Sequence, residues 1–147
     1  MLIRDLLKLK SNEPILVSPD DDIRESAALM VEQSVSALIV VTKEGSLAGI
    51  LTERDVARYF ADDAGHDTTK VAATVSSAMT SDVITCTSDH RVSEIAQIMS
   101  DSNIRNLPVQ QDGKVVALVT IRDIVRFHLS ALETENQTLR ELVAALD

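Results

Sequence analysis

Short apolar runs and apolar residues at helical spacing follow one another along the chain, and the series is written twice. Ile15-Leu16-Val17 reads as a short strand, and Ile23, Ala27, Met30 and Val31 then mark one face of a helix. Next come a continuous apolar run from Ala37 to Val41, a polar turn holding Gly45, and a second run from Leu47 to Leu51. Two runs joined by a glycine turn predict a hairpin, and a helix follows from about Glu53. The second pass has a strand at Val83 to Cys86 and helix-spaced Val92, Ile95, Ala96 and Met99. Its apolar runs are Leu107 to Val109 and Val115 to Val119 around Asp112-Gly113, with a helix from about Ile121. Unbroken rather than alternating apolarity in the hairpins predicts burial on both faces. The clusters Ser18 to Asp22 and Thr87 to Asp89 are expected to supply N-cap oxygens to the helices after them.

The repetition is residue by residue. Ile23, Ala27, Met30 and Val35 recur 69 positions later as Val92, Ala96, Met99 and Ile104; after a one-residue deletion, Thr52, Asp55, Val56 and Arg58 recur as Thr120, Asp123, Ile124 and Arg126. A lead-in repeats too, Ile3-Arg4-Asp5-Leu6-Leu7 resembling Val75-Ser76-Ser77-Ala78-Met79. Each copy is a β-α-β-β-α unit of an α/β (α+β) fold, and a repeat of this length is a supersecondary module that buries its face by stacking on its twin. The expected division is a first unit at 3–60, a polar linker at 61–74, a second unit at 75–127 and a helical extension at 128–147. In that extension Val125, Leu132, Leu139 and Leu146 stand at sevenfold spacing with Leu142 between the last two, interrupted by His128 and Glu135. The stripe is short for a coiled coil and predicts a helix docked on its own or a twin subunit, a break near Asn136 being the alternative.

Composition narrows the function. The 147 residues are 45% hydrophobic, which suits one packed body, but only 2% aromatic, so the core is built of aliphatic side chains. Tyr59, Phe60 and Phe127 are poor stacking platforms for bases, and a net charge of -9 repels phosphate backbones, so nucleic acid is not an expected partner. A small nucleotide remains compatible, because a few N–H groups and one or two Arg hold a phosphate whatever the total charge. No run of 18 apolar residues spans a membrane, the N-terminus lacks a signal-peptide pattern, and lone Cys86 has no disulfide partner; a cytoplasmic protein is the expectation.

The chemistry-bearing constellation is Thr52-Glu53-Arg54-Asp55 with its copy Thr120-Ile121-Arg122-Asp123, each where an apolar strand gives way to a helix. Such a junction offers unpaired N–H groups and the positive end of a helix dipole to a phosphate. Thr can bond a phosphate oxygen, Asp can accept from two ribose hydroxyls, and Arg offsets charge. Thr-x-x-Asp before a helix is equally a capping box, and a duplicated fold duplicates its caps, so spacing leaves both readings open. Asp20, Asp21 and Asp22 suit a helix start better than a metal or acid-base site, and His66 and His128 share no setting. Cys86, in an apolar strand without a flanking base, reads as an inert core thiol. With no nucleophile elbow, P-loop or dinucleotide fingerprint, catalysis is not expected.

Gly49-Ile50-Leu51-Thr52-Glu53-Arg54-Asp55-Val56 with Val35-Ser36-Ala37-Leu38-Ile39-Val40, and Ile104-Arg105-Asn106-Leu107-Pro108-Val109 with Thr120-Ile121-Arg122-Asp123-Ile124-Val125, resemble cystathionine-β-synthase-type (CBS) domains. Ala78-Met79-Thr80-Ser81-Asp82-Val83-Ile84-Thr85 is similar to the usual opening of a second copy, and the likeness runs from about residue 3 to 127. The resemblance implies a pseudo-twofold pair packed by its sheets, a homodimer, and two clefts for adenine nucleotides: AMP, ADP or ATP, with NADH or S-adenosylmethionine as further candidates. No cofactor is required, and the regulated protein is an unknown partner. By position it implies that Asp55 and Asp123 hold ribose, and that Thr52 and Thr120 meet phosphate beside Arg54 and Arg122. Ser36, Ala37, Arg105, Asn106, Leu107 and Pro108 would line the purine or phosphate region, and Ile15 and Ile84 would wall the base. Pro108 lacks an N–H and suits an edge or cleft-facing position. Ala117 stands where the first copy has Gly49, and its methyl group is expected to narrow backbone approach to a ligand. A scaffold with empty clefts, whose Thr and Asp are only caps, is the alternative.

Overall fold

The computed structural model describes residues 1–10, 13–62 and 73–146. In chain order it contains α1 (Ile3–Lys8), β1 (Leu16–Val17), α2 (Ile23–Gln33), β2 (Ala37–Val41), β3 (Leu47–Thr52), α3 (Glu53–Asp62), α4 (Val75–Ala78) and α5 (Val92–Ser102). β4 (Asn106–Gln111), β5 (Lys114–Thr120) and α6 (Ile121–Leu146) complete it. The fold is α+β, as the patterning predicts. Most of the expected linker, His66 included, lies outside the described residues.

The two hairpins differ where the repeat loses a residue. β2 and β3 are antiparallel and irregular between Val40 and Val41, with a longer turn in which Thr42 N donates to Ser46 O at 2.8 Å. β4 and β5 are joined by Asp112-Gly113 alone, both at positive φ (52° and 79°), as a two-residue primed turn demands. Alternate residues of the β1-β2-β3 sheet face two cores. Leu38, Val40 and Leu51 pack with Val17, Met30 and Val75, while Ala37, Ile39 and Ile50 pack with Leu118.

Helix ends repeat more faithfully than helix starts. α2 and α5 both stop at a left-handed residue, Ser34 (φ 54°) and Asn103 (φ 52°), and the next N–H reaches back to the Met30 or Met99 carbonyl at 3.0 Å. At the start of α2, Asp22 Oδ1 accepts from Arg24 N and Glu25 N at 2.7 and 3.2 Å. At the start of α5 the N-cap is Arg91, downstream of the Thr87 to Asp89 cluster, and its side chain makes no cap bond. What both starts share is a backbone acceptor from a lead-in segment, Ala73 O for Ile23 N and Met1 O for Val92 N, each at 3.0 Å.

That acceptor reveals an exchange. The lead-in of the first copy runs with the second copy's helix, through the Leu2–Arg91 bridge and Ile3 N to His90 O at 2.8 Å. The lead-in of the second runs with the first copy's helix, through Asp22–Thr74 and Val75 N to Asp21 O at 2.8 Å. The described residues accordingly fall into two compact units that cut across the repeat. One is drawn from Met1–Ser11, Ser88–Asn106 and Val119–Asp147, the other from Asn12–Thr87 and Leu107–Leu118.

Two expectations are corrected by named residues. Val83 to Cys86 is not a strand, and only Cys86 bridges Val109. In the first copy Ile39 N donates to Ile15 O at 3.0 Å and two residue pairs form. The counterpart of Ile39 is Pro108, which has no N–H to give Ile84, so the ladder shrinks to one pair. Pro108 is buried in β4, a strand of a two-stranded sheet, and its carbonyl accepts from Cys86 N at 3.0 Å. Secondly, α6 runs unbroken through Asn136, and within it only Ile124 and Phe127 are buried, so beyond Phe127 it does not dock on its own chain.

Two outcomes follow. A Cβ on Gly49 would stand 2.7 Å from Thr80 O and 2.9 Å from Met79 Sδ, because Ile50 and Thr80 exchange two backbone bonds of 2.9 Å beside it. Gly49→Ala is therefore expected to cost about 1–2 kcal/mol in urea denaturation, overpacking outweighing the entropy gained. Burial pushes the Cys86 thiol up from 9.0 to about 11. An unfolded chain loses that proton first, so the contribution is whole below about pH 9 and fades as pH rises toward 11. Urea midpoints across that window should fall more steeply for the natural chain than for Cys86→Ala.

Candidate functional site

Each candidate site is a β-strand that ends in Thr and turns into a helix whose third residue is Asp. At the first, Thr52 N and Thr52 Oγ1 both donate to Asp55 Oδ2 at 3.0 Å, and Asp55 N donates back to Thr52 Oγ1 at 3.2 Å. At the second, Thr120 N donates to Asp123 Oδ2 at 2.9 Å and Asp123 N to Thr120 Oγ1 at 3.1 Å. Both are reciprocal capping boxes. The next N–H is taken as well, Glu53 N by Ser36 O at 3.1 Å and Ile121 N by Arg105 O at 2.9 Å. The junctions thus spend on themselves most of the donors that the sequence reading offered to a phosphate, because a strand entering a helix must satisfy its own amides first.

The acids differ in their third partner, and it comes from a lead-in segment each time. Thr80, two residues past α4, donates its hydroxyl to Asp55 Oδ1 at 3.1 Å, and Arg58 Nη1 lies 3.7 Å from the same oxygen. Asp55 is 5% exposed, with both oxygens engaged. Asp123 instead receives Lys10 Nζ on Oδ2 at 2.7 Å, the side chains being 17% and 20% exposed. Among the described residues Oδ1 of Asp123 accepts no hydrogen bond. One cap is closed by a hydroxyl; the other is half-open beside an ammonium.

Around the first junction Ser36 and Arg54 are exposed, Ile15 rests on the Val17–Leu38 core, and Ala37 is consumed by the core with Ile39 and Ile50. Around the second, Arg105 and Arg122 are exposed and Asn106 opens β4 half-buried. Leu107 and Pro108 are buried in the other compact unit, where Ile84 is 42% exposed. Thr80, Arg58 and Lys10 were not among the expected site residues. The lead-in repeat carried a signal for Thr80, which directly follows it, but none for Lys10, since α1 runs two residues longer than α4 before releasing it. Asp21 and Asp22 are spent on Ser18 N at 2.8 Å and on the α2 cap.

The CBS domain model matches residues 3–62 and again 75–130. Inosine-5'-monophosphate dehydrogenase of Methanocaldococcus jannaschii is 34% identical over 132 residues, which are 89% of this chain, and the chain spans a quarter of that enzyme's length. The mitochondrial CBS domain-containing protein CBSX3 of Arabidopsis thaliana is 30% identical, with 96% of this chain and 71% of the relative covered. Among solved structures, the CBS domain pair of protein MJ0100, in complex with 5'-methylthioadenosine and S-adenosyl-L-methionine, superposes with a TM-score of 0.77 at 31% identity, over 89% of this chain and 98% of that one. With two matched domains and a Thr/Asp capping box in each, the chain belongs to the CBS-domain family.

Proposed function

We propose that the protein is a non-catalytic regulatory module, cytoplasmic and homodimeric, that binds an adenosyl ligand and alters the surface it offers to a partner protein. The observation that carries this reading is the doubled Thr/Asp junction on a chain 31% identical to a CBS pair that holds 5'-methylthioadenosine and S-adenosyl-L-methionine. In this reading Thr52, Arg54 and Asp55 serve the first cleft and Thr120, Arg122 and Asp123 the second. Ser36 and Ile15 flank the first, and Arg105 and Asn106, in the same compact unit as Asp123, flank the second. The likeness to the dehydrogenase covers a quarter of that enzyme and falls on the CBS repeats, which supports binding rather than turnover.

The junctions rank the two clefts. A ribose reaching Asp55 must displace Thr80 or Thr52 from a buried carboxylate, whereas Asp123 has an oxygen to offer and Lys10, Arg105 and Arg122 supply positive charge in the same unit. The second junction is the primary site, and occupancy stabilises whichever arrangement of the chain presents it.

Differential scanning fluorimetry with AMP, ADP, ATP, NADH, S-adenosylmethionine and 5'-methylthioadenosine tests the reading. The matching ligand at about a hundredfold excess over Kd raises Tm by about 5–10 °C, and no shift with any of the six removes the proposal. The two acids separate in the same assay. Asp55→Ala costs about 2–3 kcal/mol of stability by losing a buried cap and stranding Thr80, and it still binds. Asp123→Ala costs about 1 kcal/mol and loses most of the ligand shift. Equal ligand shifts in both variants and the natural chain would place the ligand away from the Thr/Asp junctions, and no shift in any of them would leave the empty-cleft scaffold.

A further inference from the structure

We propose that α6 pairs with α6 of a second copy as a parallel, in-register two-stranded coiled coil over Val125–Leu146. The proposal deepens the homodimer reading above by naming its surface and orientation. Val125, Leu132, Leu139 and Leu146 form one apolar row and Leu129, Asn136 and Val143 another, alternating at three- and four-residue steps. All the apolar members are at least half exposed on this chain, from 50% at Val125 to 87% at Leu146. The opposite face is satisfied without a partner: Thr134 and Thr138 hydroxyls donate to Ser130 O and Thr134 O at 3.0 Å, and Gln137 Nε2 donates to Glu141 Oε1 at 3.2 Å. The seam therefore has the alternating spacing of a and d positions, with Leu filling d from Leu132 onward.

The flanking charges fit a copy of the same helix. In a parallel pair, Glu135 lies across from Arg140 of the second copy and His128 across from Glu133, each twice by symmetry, and Asn136 meets Asn136, where its amide finds its own complement. An antiparallel pair that keeps Glu133 against Arg140 sets Glu135 against Glu135 and presses Asn136 onto Leu132, leaving a buried amide unpaired. The interruptions that made the stripe look weak thus become its specificity: Glu135 flanks the seam, and Asn136 fixes register at a cost in stability.

Disulfide trapping of the full chain under mild oxidation decides it. Val143→Cys is expected to give a covalent dimer, since in-register helices place the two thiols together, while an antiparallel pair separates them by about 27 Å. Val31→Cys, 81% exposed on α2, is the control and should stay uncrosslinked; native Cys86 is buried. In sedimentation equilibrium the natural chain should weigh twice its 16.0 kDa, and Leu132→Glu with Leu139→Glu should return it to 16.0 kDa with the melting of the body retained. A natural dimer that does not crosslink at Val143→Cys overturns the coil and leaves the homodimer reading standing, whereas a trimer or larger assembly overturns both. A natural chain that sediments as a monomer overturns both.

Discussion

Everything at the two junctions depends on the exchange of the lead-in segments. A β-strand that turns directly into a helix leaves amides unpaired, and a local Thr/Asp box satisfies them in both copies. The box alone leaves a carboxylate facing the interior. Its third ligand, the Thr80 hydroxyl for Asp55 and the Lys10 ammonium for Asp123, arrives from a segment that belongs to the other copy in sequence. The first amides of α2 and α5 are closed in the same way, by Ala73 O and Met1 O. Neither repeat satisfies its own backbone, which is why the compact units cut across the duplication.

Once each copy relies on the other's lead-in, single-residue differences there act at a distance in sequence. Thr80 draws its backbone onto Ile50 and so forbids a side chain at Gly49; the second copy releases its lead-in later, and Ala117 is accommodated. Gly49 is thus explained by the approach of protein backbone, the Thr80 carbonyl, rather than of a ligand. Pro108 in place of Ile39 removes one ladder bond and reduces a strand to a bridge. The copies share an architecture, yet their acids stand in different electrostatic company: a neutral hydroxyl with a distant guanidinium, against an ammonium in direct contact.

Legibility in the sequence tracked locality. The hairpins, the left-handed helix ends and the Thr–Asp spacing were readable because their causes lie within a few residues: a Gly turn, a 3.6-residue apolar period, an i to i+3 bond. The exchanged lead-ins were visible as a repeat but not as an exchange, since periodicity says what recurs and not which twin it packs on. Lys10 was invisible for a plainer reason: its long side chain spans 113 positions of sequence to reach Asp123 from a place that has no match in the other copy. α5 lacks the side-chain cap of α2 for a local reason: the residue 69 positions after Asp22 is Arg91, whose guanidinium has no acceptor to offer the first-turn amides.

The second junction and the C-terminal helix are physically one object. Asp123 caps the first turn of α6, Ile124 and Phe127 anchor the next turn in the body, and the same helix then continues without a break for about 28 Å past Phe127. An unbroken helix transmits a rotation of its root to its far end, because its side-chain rows are fixed to a single axis. A ligand that took the open oxygen of Asp123, or drew Lys10 away from it, would act on the cap from which that axis starts. A seam of paired α6 helices would carry such a rotation between copies, since only one facing of the two rows buries both. Under the two proposals together, the half-open cap would let the binding of a small molecule and the orienting of a partner copy draw on the same few residues.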